Sequence, residues 1–327
     1  MKLLVITRSF AIVGVFLLGL WLGHEWEEQS HRYHSAQVFA KGGGGGGGLT
    51  NPLLECGIEA EEVTIGERAE VEESVTAFIK NSLKSGSITD AAVYFRDLNN
   101  GPWFGINERD LFEPGSLLKL PIAMSLYYWD SRKEGVLDDT LDLTKSFPEM
   151  MEGFNASNAS LAPVPPAVYT VRDLIGIMLR DSSNDAANVL AQYEGAERMG
   201  KLFFDLGIMT PKPGELYQID VKTFGAFLRV LYNASYLGRE DSEELLTTLT
   251  QTTFRDGIVA GVPQSVKVAH KFGTRVLSDG SRQLHDCGIV YTDTPYILCV
   301  MTQGNSADDL MRFIARVSKD VYEKVSR

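Results

Sequence analysis

Cysteine is scarce in this chain, with three occurrences among 327 residues. Cys56, Cys287 and Cys299 are too few and too scattered for a disulfide scaffold, and no Cys/His spacing indicates a zinc site. Cys287 and Cys299 lie in neighbouring apolar runs, which leaves a bridge between two strands as an alternative. We expect buried free thiols, and the sequence implies no metal or cofactor.

Positive charge is also in short supply. Lysine and arginine total 31 against 43 acidic residues, which gives a formal net charge of −12. This balance argues against a nucleic-acid partner and against binding an anionic membrane surface through a basic patch. The hydrophobic content of 44% and charged content of 23% are typical of a globular protein with a sizeable core.

An apolar run stands near the amino terminus. Phe10–Leu22 follows the basic residues Lys2 and Arg8 and precedes three glutamates, a charge asymmetry that places the rest of the chain outside the cytoplasm. The run is short for a membrane span and suits a signal peptide, but counting from Leu3 gives about 20 residues, enough for an anchor. Because no small-x-small cleavage site follows closely, we favour an uncleaved signal-anchor over residues 1–23.

The next segment, residues 24–70, is polar and has no sustained helix or strand pattern. It contains seven consecutive glycines, Gly42 to Gly48, which lose much conformational entropy when they are ordered. We interpret it as a flexible tether. The catalytic domain is then predicted to span residues 71–327, and the whole protein is expected to be a monomer held at the outer side of the cytoplasmic membrane.

The first half of this domain carries strand and helix patterns in turn. Apolar residues recur at helical spacing from Val71 to Leu83 and predict a helix. The segments Ala91–Leu98 and Trp103–Asn107 are predicted to form the two strands of a β-hairpin. Helical patterns dominate residues 116–250, including a helix over Val171–Arg180 that opens with a capping box.

Strand patterns return near the carboxyl end. They cover residues 265–273, 285–292 and 296–304, and a final amphipathic helix follows Ser306 as its cap. Five strands with segregated helices predict an α+β fold with an antiparallel five-stranded sheet, flanked by terminal helices. A helical subdomain is inserted in the middle, and we expect the active site at its junction with the sheet.

The first motif with chemical meaning is Ser116-Leu117-Leu118-Lys119. A serine in the first turn of a helix has a lysine three residues later on the same face, within hydrogen-bond reach. A neutral Lys119 can take the Ser116 proton, and burial favours the neutral amine. Taken alone the motif is also compatible with an ordinary helix start.

The second motif is Ser182-Ser183-Asn184, which ends the helix Val171–Arg180. A hydroxyl and an amide on a turn between helices can relay a proton and hold a substrate carbonyl. In isolation the pattern would indicate only a turn.

The third motif is Lys271-Phe272-Gly273-Thr274, at the end of the run that begins at Ser265. An edge strand can bind an extended substrate by strand addition, and Gly273 allows a close backbone approach. Lys271 supplies positive charge, and Thr274 supplies an N–H and a hydroxyl.

These motifs together resemble the S-x-x-K, S-D-N and K-T-G set of class A β-lactamases and penicillin-binding proteins. Longer stretches carry the resemblance as well, and it extends over roughly 71–327. They are AAVYFRDLNNGPWFGINERDLFEPGSLLKLPIA, LRDSSNDAANVL and FRDGIVAGVPQSVKVAHKFGT.

The resemblance implies catalytic roles for matching residues. Ser116 is the nucleophile, Lys119 its base, and Ser182 the group that passes a proton to the leaving nitrogen. The backbone N–H groups of Ser116 and Thr274 form the oxyanion hole.

It also implies substrate-binding roles. Asn184 binds a substrate amide, while Lys271 and Thr274, with Gly273 between them, hold a substrate carboxylate. Arg275 or Arg282 is a further candidate cation for that carboxylate, and the sequence does not distinguish them.

Three departures from the family pattern stand out. Ser183 replaces an aspartate, and Phe272 replaces a threonine or serine. The family's E-x-x-L-N pattern, whose glutamate activates water for deacylation, is missing from a loop that looks shortened. Glu215 is the one acid in that loop and a possible deacylation base, although a solvated glutamate is the favoured interpretation.

The favoured function is a serine hydrolase of the class A β-lactamase-like type, acylated at Ser116 by β-lactams or related amides. The alternative is a penicillin-binding or D,D-carboxypeptidase-like enzyme acting on D-Ala-D-Ala stem peptides, because the deacylation pattern is missing. A third, less favoured hypothesis is a non-catalytic module that binds a fragment of the cell wall or a partner.

Overall fold

The computed structural model describes residues 48–51, 65–99, 102–132, 135–143, 164–165, 167–211 and 214–325. All of them fall within one compact unit, Lys41–Arg327. The expected signal-anchor over residues 1–23, Cys56 and most of the glycine tract lie outside the described residues. Within these ranges, no helix has the length and apolarity needed to cross a membrane.

Helices and strands alternate in the order that the sequence patterns indicate. The helices are α1 (Ile65–Ser85), α2 (Lys119–Asp130), α3 (Val171–Arg180), α4 (Asn184–Asp205), α5 (Val221–Tyr232), α6 (Arg239–Thr250) and α7 (Ala307–Val325). The strands are β1 (Asp90–Asp97), β2 (Trp103–Ile106), β3 (Thr140–Asp142), β4 (Val168–Thr170), β5 (Lys267–Val276), β6 (Arg282–Tyr291) and β7 (Tyr296–Gly304).

Five of these strands form one antiparallel sheet in the order β2-β1-β7-β6-β5. The short strands β3 and β4 pair with each other. This arrangement confirms the predicted α+β fold, with the terminal helices and an inserted helical block. Strand β5 lies at one edge of the sheet, so its outer backbone groups face the residues that precede α2.

The two faces of the sheet are covered by different helices. Residues such as Val75 of α1 and Val317 of α7 pack on one face with no more than 1% of their surface exposed. On the other face the helical block contributes Leu120 and Phe224, which are fully buried. Each such side chain stabilises the fold by about 1.5–3 kcal/mol. Strand β5, which contains Lys271, is therefore held between two cores, with Ala269 in one and Val268 in the other.

Two element boundaries differ from the prediction. Helix α1 begins at Ile65, inside the segment interpreted as tether. Strand β5 runs on to Val276, so the lysine motif lies within the strand rather than at its end. The capping box of α3 is as predicted, because Thr170 Oγ1 accepts from the Asp173 N–H at 3.0 Å.

Cys287 and Cys299 form a disulfide, and the expectation of free thiols for these two residues was wrong. The register of β6 and β7 places the two residues directly opposite each other. Side chains of directly opposite residues point to the same face and have closely spaced Cβ atoms. The sequence indicated two neighbouring apolar runs but not their register, and the register decides whether a bridge forms.

Candidate active site

Ser116 lies in a tight turn that leads into a helix. It belongs to the 3-10 turn Gly115–Leu118, and Lys119 is the first residue of α2. The sequence predicted a serine in the first turn of an α-helix, so the local geometry is tighter than expected. Ser116 is half-buried, and the turn that carries it contacts both β5 and α2.

The turn before Ser116 packs against the backbone of β5. Gly115 has φ +52, and a Cβ added there would lie 2.6 Å from the Thr274 carbonyl oxygen. A Cβ added to Gly273 would lie 2.4 Å from the Pro114 carbonyl oxygen. Because no side chain fits at either position, both glycines are required for this contact. It brings Thr274 beside the residue that precedes Ser116.

Lys119 connects the first motif to the second. Its Nζ donates to the Ser182 carbonyl oxygen at 2.5 Å and to Asn184 Oδ1 at 2.7 Å, and lies 3.3 Å from Ser182 Oγ. Among the described residues, none of its hydrogen bonds goes to Ser116. Catalytic hydrogen bonds are often long before substrate binds, so this geometry does not remove Lys119 as a base.

The charge state of Lys119 suits a base. Its side chain is 1% exposed, and burial lowers the pKa of the ammonium to about 7, against an opposing effect of the nearby Asp185 carboxylate. A neutral amine has two N–H bonds and one lone pair. With both N–H bonds donated to Ser182 and Asn184, the lone pair is left to accept a proton.

The second motif is held by a strained residue and a helix cap. Ser182 has φ +54, a conformation that non-glycine residues seldom adopt and that clusters at functional sites. Ser183 is the N-cap of α4, and its hydroxyl accepts from the Ala186 N–H at 3.4 Å. Serine and aspartate are both favoured N-caps, so the departure at Ser183 keeps the structural role of this position.

Lys271 joins the third motif to the second. Its side chain is completely buried, and its Nζ donates to Ser182 Oγ and to the Phe272 carbonyl oxygen, each at 3.0 Å. Burial, and secondarily the nearby Lys119 ammonium, hold the pKa of Lys271 well below its usual value. The Ser182 hydroxyl therefore lies between two buried amines, an arrangement that can pass a proton.

The remaining predicted residues differ in exposure. Asn184 is half-buried and bonded to Lys119, and Thr274 is exposed on β5. Glu215 is exposed in the segment between α4 and α5. That segment ends at Ile219, whose backbone pairs with Phe112, four residues before Ser116.

Sequence reasoning missed the residues that hold Glu113. The backbone N–H of Glu113 donates to Gln283 Oε1 at 3.0 Å, its carbonyl accepts from His285 Nε2 at 3.0 Å, and its carboxylate lies 2.7 Å from Arg275 Nε. These partners lie on β5 and β6, more than 160 residues further along the chain. No local spacing in the sequence could have shown the pairing, although Arg275 was a candidate cation.

Comparison with known proteins identifies the family of the chain. A family described as "Beta-lactamase enzyme family" matches residues 72–325. The chain belongs to this family, and it is a serine hydrolase of the β-lactamase-like type. A comparison with curated protein sequences finds no match.

Solved structures show the same fold at low sequence identity. The TLA-1 extended-spectrum β-lactamase is 17% identical with a TM-score of 0.67, over 78% of this chain and 99% of that one. A class A β-lactamase from Mycobacterium abscessus is 21% identical with a TM-score of 0.63, over 79% of this chain and 100% of that one. PBP-A is 17% identical with a TM-score of 0.65, over 78% of this chain and 96% of that one.

Proposed function

We propose that the protein cleaves β-lactam or related amide bonds through an acyl-enzyme on Ser116. The observation that carries this proposal is the buried Lys119 amine, with a pKa of about 7, three residues after Ser116 and bonded to the Ser182–Asn184 turn. An amine whose pKa is about 7 has a substantial neutral fraction near pH 7, and the neutral form can accept a serine proton.

Acylation would begin with attack of Ser116 Oγ on the substrate carbonyl carbon, while the hydroxyl proton passes to Lys119 Nζ. The new C–O bond leaves an oxyanion, which the N–H groups of Ser116 and Thr274 stabilise. The contact between Gly115 and the Thr274 backbone supports this pairing of donors.

The intermediate would collapse when the C–N bond breaks. The leaving nitrogen takes a proton from Ser182 Oγ, and Ser182 recovers one from Lys119, which returns to the neutral amine. The two lysine contacts to Ser182, at 3.3 and 3.0 Å, support this route. Asn184 would bind the substrate amide, since its side chain stands on the same turn.

Deacylation would be slow. A water-activating group contributes typically about 10²–10⁴-fold, and the family's glutamate pattern is missing from this sequence. Glu215 is the candidate for that role, and it lies exposed in the segment between α4 and α5. In Glu215→Gln, slower loss of the acyl group would support Glu215 as the base, and an unchanged rate would remove it.

The test is a time course of intact mass for the full chain mixed with a penicillin. An adduct equal to the mass of the penicillin, absent in Ser116→Ala, is expected. Thermal unfolding of the Ser116→Ala variant checks that it is folded. An adduct that persists in that variant would overturn the assignment of Ser116, and absence of any adduct would overturn the proposed function.

The time course also distinguishes a β-lactamase, which hydrolyses its acyl-enzyme, from a penicillin-binding enzyme, which does not. An adduct that disappears as hydrolysed penicillin accumulates would identify a working β-lactamase. An adduct that persists for hours would identify an enzyme that penicillin inhibits, as expected of one acting on cell-wall stem peptides.

We further propose that the catalytic domain works outside the cytoplasmic membrane as a monomer, anchored by residues 1–23. The apolar run Phe10–Leu22 and the charges around it support this proposal. Retention in membranes after carbonate washing, and release on deletion of residues 1–23, would be the expected result. Release of the full chain by the wash would contradict it.

A further inference from the structure

The two N–H groups assigned to the oxyanion hole come from separate parts of the chain. Ser116 lies on the turn Gly115–Leu118, whereas Thr274 lies on β5. An oxyanion is stabilised by both donors only when each stands at hydrogen-bond distance from it at the same time. Among the described residues, no backbone hydrogen bond joins this turn directly to β5. Other contacts must therefore hold the turn at a fixed distance from the strand.

Glu113, three residues before Ser116, is bonded to the sheet at three places. Its backbone N–H donates to Gln283 Oε1 at 3.0 Å. Its carbonyl oxygen accepts from His285 Nε2 at 3.0 Å. Its carboxylate accepts from Arg275 Nε at 2.7 Å. The N–H, the carbonyl and the carboxylate of Glu113 are thus all bonded to β5 or β6.

The three partners of Glu113 form one patch on a single face of the sheet. Gln283 lies directly opposite Arg275, and the next pair on that face is His285 with Gly273. Gly273 keeps the middle of the patch open, because a Cβ added there would lie 2.4 Å from the Pro114 carbonyl oxygen. The patch therefore has the shape and the hydrogen-bonding groups to hold the residues that lead into the nucleophile turn.

The contact between Glu113 and Arg275 links the two oxyanion donors most directly. Arg275 follows Thr274 in β5, and Glu113 precedes Ser116 by three residues. A hydrogen bond between two charged groups is roughly twice as strong as one between neutral groups. The Arg275 and Glu113 side chains are 29% and 17% exposed, so solvent screens this pair less than an ion pair on the open surface.

Arg275 is also a candidate cation for a substrate carboxylate, and the Glu113 contact argues against that role. The Glu113 carboxylate, at 2.7 Å from Nε, already opposes the charge of the guanidinium. A cation paired in this way attracts a second carboxylate less strongly, because the two charges of the pair largely cancel at a distance. The geometry favours a role for Arg275 in holding the turn.

We propose that Arg275 and Glu113 are positioning residues for acylation, and that their ion pair holds the N–H groups of Ser116 and Thr274 at the separation that the oxyanion requires. Neither side chain contacts the substrate. This inference rests on the proposed acylation of Ser116 and adds the contact that sets the geometry of its oxyanion hole.

The test uses the full chain and the variants Arg275→Met, Glu113→Gln and the two combined. Acylation by benzylpenicillin and by its methyl ester, which lacks the free carboxylate, is followed by intact mass over a range of concentrations. Arg275→Met should lower the limiting rate of acylation by about 10-fold to 10²-fold, since loss of a whole oxyanion donor costs about 10²–10³-fold. The concentration that gives half of the limiting rate should stay within about twofold, and the loss should be the same for both compounds.

Glu113→Gln should lower the limiting rate in the same way by a smaller factor, because the amide keeps an acceptor oxygen and loses only the charge. If the pair acts as one unit, the double variant should be no slower than Arg275→Met alone. Losses that multiply in the double variant would overturn the inference. Thermal unfolding checks that each variant is folded, and Glu113→Gln, which has nearly the same shape as the original side chain, keeps the test open if Arg275→Met is not.

The matched control is Arg316→Met. Arg316 Nε makes the same kind of bond, at 2.7 Å to the Asp320 carboxylate, on helix α7. This variant should be acylated at the rate of the unaltered protein. A loss equal to that of Arg275→Met would assign the effect to general destabilisation and overturn the inference.

Binding of a substrate carboxylate by Arg275 would give a different result. Arg275→Met would then slow the acid much more than the ester, and Glu113→Gln would release the guanidinium and speed the acid. Either result, or unchanged rates in all variants, would overturn the inference. If neither compound forms an adduct with the unaltered protein, the proposed function fails, and this inference fails with it.

Discussion

Ser182 Oγ accepts a hydrogen bond from Lys271 Nζ at 3.0 Å, and this bond joins the edge strand to the turn before α4. Because Lys271 donates to it, the hydroxyl can direct its own hydrogen toward the leaving nitrogen of a substrate. Lys119 lies 3.3 Å from the same oxygen and can restore the proton. The strained backbone of Ser182, with φ +54, is maintained by these contacts from two separate elements.

Lys271→Met should slow acylation by about 10²-fold, since proton transfer by a positioned group contributes about 10²–10⁴-fold. The measurement is the rate of adduct formation with a penicillin, followed by intact mass. Lys267→Met is the matched control, because Lys267 is exposed at the start of the same strand. Equal rates in the two variants would show that Lys271 has no part in the chemistry.

The pH dependence of acylation should report Lys119. The neutral amine is the active form and its pKa is about 7, so the rate should fall about tenfold per pH unit below pH 7 and level off above it. The Asp185 carboxylate raises this pKa, so Asp185→Asn should move the midpoint to lower pH. The amide introduced by this substitution keeps an oxygen that can still accept the Val164 N–H bonded by Asp185.

The control for this pH profile is Asp181→Asn, a change at an acid close in sequence that does not act on the Lys119 pKa. Its midpoint should match that of the unaltered protein. A midpoint that stays fixed in Asp185→Asn, or that moves to higher pH, would show that a group other than Lys119 limits the rate.

The sequence was sufficient to predict the three motifs and the order of the helices and strands. Ser116, Lys119, Ser182, Asn184 and Lys271 each stand in a short local pattern, and local patterns also define strands and helices. The α3 capping box lies within four residues, and for the same reason it could be predicted. The antiparallel sheet followed from the strand patterns and from the family resemblance.

Features that depend on long-range register could not be predicted. The Cys287–Cys299 bridge depends on which residues of β6 and β7 face each other, and several registers fit the same hydrophobic pattern. The bond between Glu113 and Arg275 joins residues 162 positions apart. Burial of the Lys119 and Lys271 amines likewise depends on packing between the sheet and the helical block, which residue order does not reveal.

His285 should make the protein less stable in mild acid. It is fully buried, its Nε2 donates to the Glu113 carbonyl, and its Nδ1 accepts from the Thr302 N–H, so the ring is neutral. Burial lowers the pKa of His285 from 6.5 to about 4. The unfolded chain therefore binds the extra proton first, and stability is lost as pH falls from about 6.5 to about 4.

The loss should reach about 3 kcal/mol, at 1.36 kcal/mol for each unit of pKa difference. Urea unfolding at a series of pH values measures it. His285→Gln keeps an N–H donor for the Glu113 carbonyl and does not titrate, so its stability should change less over the same range. An identical pH dependence in the variant would assign the effect to other groups.

Glu194 should make the protein less stable as the pH rises from 4.5 to about 8. It lies on α4 with 4% of its surface exposed, just before the kink at Gly195, and burial raises the pKa of its carboxyl to about 8. The folded protein holds the proton between pH 4.5 and about 8, while the unfolded chain has already released it. This contribution to stability is complete below pH 4.5 and decreases as pH rises to about 8.

Glu194→Gln imitates the protonated carboxyl at every pH. We expect its free energy of unfolding to exceed that of the unaltered protein by an amount that grows from about pH 5 to about pH 8, to roughly 4 kcal/mol, at 1.36 kcal/mol for each unit of pKa difference. Glu197→Gln, at an exposed position of the same helix, is the control and should show no such growth. A constant difference between Glu194→Gln and the unaltered protein across this range would mean that Glu194 is ionised in the folded state, with its charge stabilised inside the helical block.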